Sequence, residues 1–172
     1  MAWSYDGQYL ATCSRDKTIW IWEANEDNEF ECAAVCSGHT QDVKFVRWHP
    51  ARNQLFSASY DDTIKSWLYE PSVDDWLCSY TMTGHESTVW RTAFFLIISE
   101  IDFDQSGAFM VSCGEDKAWM VWQIHEQTFE NKGMISGHHS RPIYSCALSK
   151  GTITSGESQQ AVDLVATVRI SE

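Results

Sequence analysis

Positive charge is scarce in this sequence. Twelve Lys and Arg stand against 24 Asp and Glu, giving a net charge of −12. Phosphate backbones and anionic lipid repel such a chain, which excludes nucleic acid and membrane surfaces as main partners. Long apolar runs are also missing. The longest, Phe94–Ile98 (FFLII), falls far short of the ~20 residues a membrane-spanning helix needs. Only three prolines and nine glycines occur, too few for a collagen-like or low-complexity chain. The chain opens MAWSYDG, with neither a basic start nor an apolar stretch, so no secretory leader is expected. Its six cysteines are then expected to be reduced, in a cytosolic protein.

Catalytic signatures are absent as well. There is no P-loop, no G-x-G-x-x-G and no G-x-S-x-G. Cys32 and Cys36 (CAAVC) supply two sulfurs, with no second pair at zinc or iron–sulfur spacing. Cys13 and Cys113 fall in second strands and Cys32 and Cys78 in fourth strands, and core packing is expected for them. The His138-His139 pair lacks further ligands nearby. No metal, no cofactor and no enzyme is read from these residues.

What is abundant is apolar and aromatic: 44% hydrophobic residues and nine tryptophans, enough for a folded core. Three stretches repeat one pattern: LATCSRDKTIWIW (Leu10–Trp22), LFSASYDDTIKSW (Leu55–Trp67) and MVSCGEDKAWMVW (Met110–Trp122). Trp22, Trp67 and Trp122 each follow an aspartate by six residues, namely Asp16, Asp61 and Asp116. Each aspartate follows a hydroxyl by four: Thr12, Ser57 and Ser112. Histidines precede the units at His39, His85 and His138-His139. Matching Ile143, Tyr144 and Ala147 to Val89, Trp90 and Ala93 selects His139. His39 precedes Asp61 by 22 residues and His85 precedes Asp116 by 31, an excess of nine. Setting Phe95–Phe103 (FLIISEIDF) aside as an insertion restores a period of about 45, the length of a four-stranded blade.

Each unit reads as short strands, such as Val43–Trp48, Leu55–Tyr60, Thr63–Tyr69 and Trp76–Met82, rich in β-branched and aromatic residues. Ile19-Trp20-Ile21-Trp22 is apolar on both faces, which suits a sheet packed between two others. The aspartate can cap a tight reversal and accept a hydrogen bond from the histidine. The histidine can reach the hydroxyl, and the hydroxyl the indole. Such a chain satisfies polar groups that packed sheets would otherwise bury unpaired. The expected sets are His39, Ser57, Asp61 and Trp67; then His85, Ser112, Asp116 and Trp122; then Thr12, Asp16 and Trp22, whose histidine would precede the chain; and His139 for a last unit. Asp62, like Lys17 and Lys117, is an ordinary turn residue.

These units resemble WD repeats, the blades of β-propellers, over Met1 to about Leu148. No unit carries the literal Trp-Asp dipeptide: Glu23, Leu68 and Gln123 follow the tryptophans. The fold expected is an all-β WD40-type propeller fragment of three to four blades, over residues 1–148. Blade junctions are expected near 39, 85 and 139. The tail at 149–172 diverges, with one further strand within Val162–Ile170. Because Ala2-Trp3 matches Arg47-Trp48, the chain is expected to begin inside a blade, as a piece of a longer chain or a truncated product. A ring of about four to eight blades is beyond this chain alone.

Ser57, His39 and Asp61 could pass for a hydrolase triad, but triads are defined by geometry, and this hydroxyl is expected to face a packed indole. Function then falls to the loops. The residue before each turn aspartate, Arg15, Tyr60 and Glu115, should lie at the rim of one face. Lys44, Trp90 and Tyr144, at the starts of first strands, should lie beside them. Arg and aromatic residues are common interface anchors.

The loops narrow the match. LATCSRDKTIWIWE, GHTQDVKFVRWHP, SASYDDTIK, DDW before TGHESTVW, and SGHHSRPIYS together resemble the cytosolic iron–sulfur protein assembly (CIAO/Cia) family. The match covers the middle of a seven-bladed member and fails at Phe95–Phe103 and after Leu148. The resemblance implies a non-catalytic scaffold of the cytosolic iron–sulfur assembly (CIA) targeting complex, which delivers clusters to cytosolic and nuclear apoproteins. It implies docking of a MIP-family partner, a HEAT-repeat adaptor and a hydrogenase-like cluster carrier, and it places an important exposed arginine at Arg15. It implies a cytoplasmic location with the nucleus as a second compartment. Two other classes stay open: another WD adaptor, such as a ubiquitin-ligase substrate receptor or signalling scaffold, and an enzyme using the Ser/His/Asp sets.

Overall fold

In the computed structural model the described residues are 1–25, 27, 29–84, 98–104, 106–126, 128–148 and 166–169. Strands β1 (Ala2–Trp3), β2 (Tyr9–Cys13), β3 (Thr18–Ala24) and β4 (Phe30–Ser37) form the first sheet in chain order. Strands β5 (Val43–Trp48), β6 (Gln54–Ser59), β7 (Ile64–Glu70) and β8 (Asp75–Met82) form the second. The third contains β9 (Ile98–Phe103), β10 (Phe109–Gly114), β11 (Trp119–Ile124) and β12 (Phe129–Ile135). Strands β13 (Ser145–Leu148) and β14 (Ala166–Arg169) pair as a fourth, two-stranded sheet. All described pairs are antiparallel, and among the described residues there is no helix. This is the all-β blade architecture expected from the repeat.

The turns explain why the strands reverse where they do. Between β2 and β3, Asp16 Oδ1 accepts hydrogen bonds from the Thr18 amide (3.0 Å) and hydroxyl (2.6 Å). Asp61 does the same for Thr63, at 3.1 and 2.6 Å. Asp116 Oδ1 accepts from the Ala118 amide at 3.1 Å. The residue after each aspartate adopts a left-handed backbone: φ is 73° at Lys17, 64° at Asp62 and 62° at Lys117. A side-chain cap outweighs the strain of placing a non-glycine residue there. One register shift per sheet recurs beside the motif tryptophan, at Ile21/Trp22, Ser66/Trp67 and Val121/Trp122.

Three apolar clusters fill the spaces between sheets. Ile19, Ile21 and Ala34 of the first sheet meet Trp48, Leu55, Trp67 and Trp76 of the second. Phe56, Ile64 and Met82 of the second meet Ile101, Phe103, Met110 and Trp122 of the third. Val111 and Cys113 of the third meet Cys146 and Leu148 of β13. The alternation within β3 has one consequence the sequence did not suggest. Ile19 and Ile21 are fully buried, but Trp20 is 36% exposed, because among the described residues the first sheet is covered on one face only.

Two further placements differ from the expectations. Spacing begins the third unit's first strand at Trp90 and sets 95–103 aside. In the structure Ile98–Phe103 is that first strand: Phe103 pairs with Met110 as Trp48 pairs with Leu55. Counting assumes a constant period, whereas strand choice follows burial, and Ile101 and Phe103 are buried between sheets. His85 and Trp90 lie outside the described residues. The cysteines also divide. Cys36, Cys113 and Cys146 are buried and Cys13 half-buried, but Cys32 and Cys78, on the outermost strands, are exposed. Only some side chains of the outer strands reach the core, Ala34 and Cys36 on β4 and Trp76 and Met82 on β8, and Cys32 and Cys78 are not among them.

Candidate functional site

The second sheet and the loop before it assemble four side chains. Trp67 Nε1 donates to Ser57 Oγ at 2.9 Å. Ser57 Oγ lies 2.7 Å from His39 Nε2, and His39 Nδ1 lies 2.8 Å from Asp61 Oδ2. With the carboxylate ionised, Nδ1 carries the proton and Nε2 accepts from the Ser57 hydroxyl. Protons therefore point one way, from indole to hydroxyl to imidazole to carboxylate. Asp61 Oδ2 also accepts from the Thr40 amide at 2.9 Å. Burial alone would raise the Asp61 carboxyl, but hydrogen bonds from His39, Thr63 and Thr40 outweigh it and hold it well below the usual carboxylate range. The glycine before His39 has a packing reason: a Cβ on Gly38 would sit 3.3 Å from the Trp67 ring edge. Gly84 stands in the same relation to Trp122, at 3.2 Å.

The other sets are placed in part. Trp122 Nε1 donates to Ser112 Oγ at 2.9 Å; their histidine, His85, lies outside the described residues. Trp22 Nε1 donates to Thr12 Oγ1 at 3.1 Å, and Asp16 caps its own exposed turn. His139 is half-buried, beside an exposed His138. Ser57 is 0% exposed, and both its indole and imidazole neighbours lie within hydrogen-bond distance. Among the described residues no three or more His, Cys, Asp or Glu side chains gather as a metal site.

At the turn end of the sheets, backbone bonds join the first blade to the second and the third to the fourth: Val43 N donates to Ser14 O at 3.1 Å and Ile143 N to Gly114 O at 3.0 Å, while within the second blade Tyr60 N donates to Asp42 O at 3.0 Å. These stitches place Arg15 beside the start of β5, and Glu115 beside Ile143 and Tyr144. Lys44 Nζ stands 4.1 Å above the Tyr60 ring centre and 3.6 Å from Asp42 Oδ2. Arg15 and Tyr144 are exposed, while Lys44, Tyr60 and Glu115 are half-buried. Burial raises the Glu115 carboxyl.

Some polar groups were not singled out from sequence. Arg47 Nη2 lies 2.6 Å from Asp102 Oδ1, and Asp102 Oδ2 accepts from the Leu148 amide at 2.9 Å. One carboxylate thus ties the innermost strands of three sheets. Gln54 donates to Ser66 Oγ at 2.7 Å inside the second sheet. His49 Nε2 donates to Gly107 O at 3.1 Å, while its Nδ1 accepts from Ala51. Burial and the nearby Arg52 guanidinium push His49 down to about 4, so it is neutral at neutral pH. Arg47 and Asp102 share one register position, a signal readable only once β9 is known to be a first strand.

Comparison with known proteins places this geometry. The model for "WD domain, G-beta repeat" matches residues 1–23, 30–67 and 76–123. A Debaryomyces hansenii protein named "Probable cytosolic iron-sulfur protein assembly protein 1" is 47% identical over 131 residues, covering 74% of this chain and 33% of the relative. An Ixodes scapularis protein named "Probable cytosolic iron-sulfur protein assembly protein CIAO1 homolog" is 43% identical over 124 residues, 71% of this chain and 36% of its own length. A Chaetomium globosum protein with the first of those names is 40% identical over 112 residues, 52% of this chain and 25% of the relative. The chain therefore spans about a third of these relatives. With three matched segments running through three four-stranded antiparallel sheets, the chain belongs to the WD domain, G-beta repeat family.

Proposed function

We propose that the chain serves as a non-catalytic WD-repeat scaffold in cytosolic iron–sulfur protein assembly, helping a targeting complex pass clusters to cytosolic and nuclear apoproteins. The names of its relatives support the pathway. The rim carries the reading: Lys44 over Tyr60, beside Arg15 on a turn fastened to β5, offers cationic and aromatic anchors on a rigid base. Docking partners of the kind the resemblance implies are a MIP-family protein, a HEAT-repeat adaptor and a hydrogenase-like carrier, with the cluster as cargo. The compartment is the cytoplasm, extending to the nucleus. Burial of Ser57 supports a structural role for the Ser/His/Asp sets, since no substrate reaches its hydroxyl without the sheets parting.

Affinity capture with purified partners tests the reading. Arg15→Glu is expected to reduce recovery of assembly-complex members about tenfold or more, a loss of about 1.4 kcal/mol, with an unchanged thermal midpoint. Undiminished capture at equal stability counts against this rim. Recovery of ubiquitin-ligase subunits alone would instead identify another WD adaptor. Ester turnover abolished by Ser57→Ala in a folded chain would identify a hydrolase.

A further inference from the structure

The seam between the first two sheets carries two thiols. Trp67 stands opposite Cys78 in the register of β7 and β8, so both side chains leave the second sheet on the same face. That face meets the first sheet, where Trp67 packs in one cluster with Ile19, Ala34 and Cys36. Cys36, on β4, reaches across to β8: its Sγ lies 4.0 Å from Trp76 O. Trp76 and Cys78 are two residues apart on β8 and share one side of it. The outer strands thus bring a buried thiol and an exposed one to the same place. Both sheets that form the seam have their four strands. The two thiols differ in reactivity. Burial pushes Cys36 up to about 12, and the nearby Asp75 carboxylate and Cys78 thiolate add to it, so Cys36 keeps its proton at neutral pH. Cys78 is open to solvent, and its contacts to Tyr80 O at 3.5 Å and Thr81 Oγ1 at 3.7 Å are weak sulfur bonds. Leu77 to Thr81 are exposed as well, so β8 can adjust there without parting the core.

We propose that Cys36 and Cys78 are a redox pair, closed by hydrogen peroxide into a disulfide that clasps the first blade to the second. The Cys78 thiolate attacks one peroxide oxygen and the O–O bond breaks, leaving Cys78 as a sulfenic acid. The departing hydroxide takes up the proton that Cys78 shed and leaves as water. The Cys36 sulfur then attacks the Cys78 sulfur. The S–S bond forms, the S–O bond breaks, and the Cys36 proton leaves with the hydroxyl as a second water. Two thiols are oxidised and one peroxide is reduced. Because Cys36 holds its proton, closure is the slow step. Disulfides of this kind in a reducing compartment are transient and redox-sensing. Cys32 is an internal control. It stands opposite Trp22 as Cys78 stands opposite Trp67, and it is exposed too, but no described sheet lies across from it.

Hydrogen peroxide treatment of the full chain, then alkylation and peptide mapping by mass spectrometry without reduction, tests the pair. A Cys36–Cys78 link is expected, two hydrogens lighter than the free peptides and undone by dithiothreitol. Cys32→Ser should form it in the same yield. Cys36→Ala should instead hold Cys78 as a sulfenic acid that dimedone traps. Cys78 found as sulfinic acid beside a freely alkylated Cys36 overturns the proposal, as does a link through Cys32 in place of Cys36, or one found only between chains. Should Cys36→Ala fail to fold, the wild-type map decides alone. The link should form in the folded chain and fall several-fold in yield when urea unfolds the chain before oxidation. Equal yield in urea overturns the pair.

Discussion

Trp22 and Trp67 hold the same place in two sheets and make the same bond, to Thr12 at 3.1 Å and to Ser57 at 2.9 Å. Their surroundings differ. Trp67 has a sheet above it and a histidine completing its network, and it is 2% exposed. Trp22 is only half-buried, and Thr12 lies with it on a face that no described sheet covers. The motif is therefore one object with two energetic lives. Buried, its bonds avert the desolvation cost of unpaired polar groups, while water can substitute for them at the surface. The comparison can be tested pair by pair.

The largest contrast should come from the indoles. Trp67→Ala is expected to cost about 3–5 kcal/mol in urea unfolding followed by circular dichroism, the range for large aromatic deletions in a core. Trp22→Ala should cost less than half of that. Equal losses would mean that the neighbouring sheet adds nothing to the motif. Next come two glycines with left-handed backbones. A Cβ on Gly107 would sit 2.2 Å from the His49 ring, whereas one on Gly7 would meet nothing within 4 Å. Gly7→Ala should then cost about 1–2 kcal/mol for its backbone alone. Gly107→Ala adds about 1–3 kcal/mol of overpacking, visible as a lower thermal midpoint.

Hydroxyl removal gives a smaller step. Ser57→Ala leaves a buried indole N–H and an imidazole nitrogen unpaired, at about 1–3 kcal/mol, without revealing turnover. Thr12→Ala should remain under about 0.5 kcal/mol, the usual limit for surface changes. The finest contrast is in pH. The Asp61 carboxyl is depressed in the folded chain, below the unfolded value of about 3.9. Its contribution is complete above that value and is lost as pH falls toward the folded one. Asp61→Asn should flatten the fall in thermal midpoint below about pH 4. Asp16 is also depressed, through bonds to Thr18, but its exposure leaves those bonds screened, so Asp16→Asn should change the profile less. An equal change would erase the distinction between the sheets.

Much of this fold can be read from local chemistry. The aspartates cap turns within two residues of themselves, and the hydroxyl and tryptophan face each other across one hairpin, so spacing alone reports them. His39 comes from farther away, 18 residues before Ser57, yet the loop that delivers it is short and regular. What spacing misses depends on competition between segments. Both 89–94 and 98–103 have strand character, and only packing against β5 and β13 distinguishes the strand that joins β10. The Arg47–Asp102 pair inherits that difficulty. Likewise, period-two alternation in β3 shows that both faces are apolar, but not that one lacks a neighbour.

The Asp102 carboxylate grips a guanidinium on one side and an amide on the other, each from a different sheet. It acts as the rivet at the narrow end of a fan. A small adjustment there is a larger displacement at the outer strands, so the spacing of the blades along the rim depends on one buried side chain. A substitution at Asp102 is expected to splay the ribs, with every blade still individually folded.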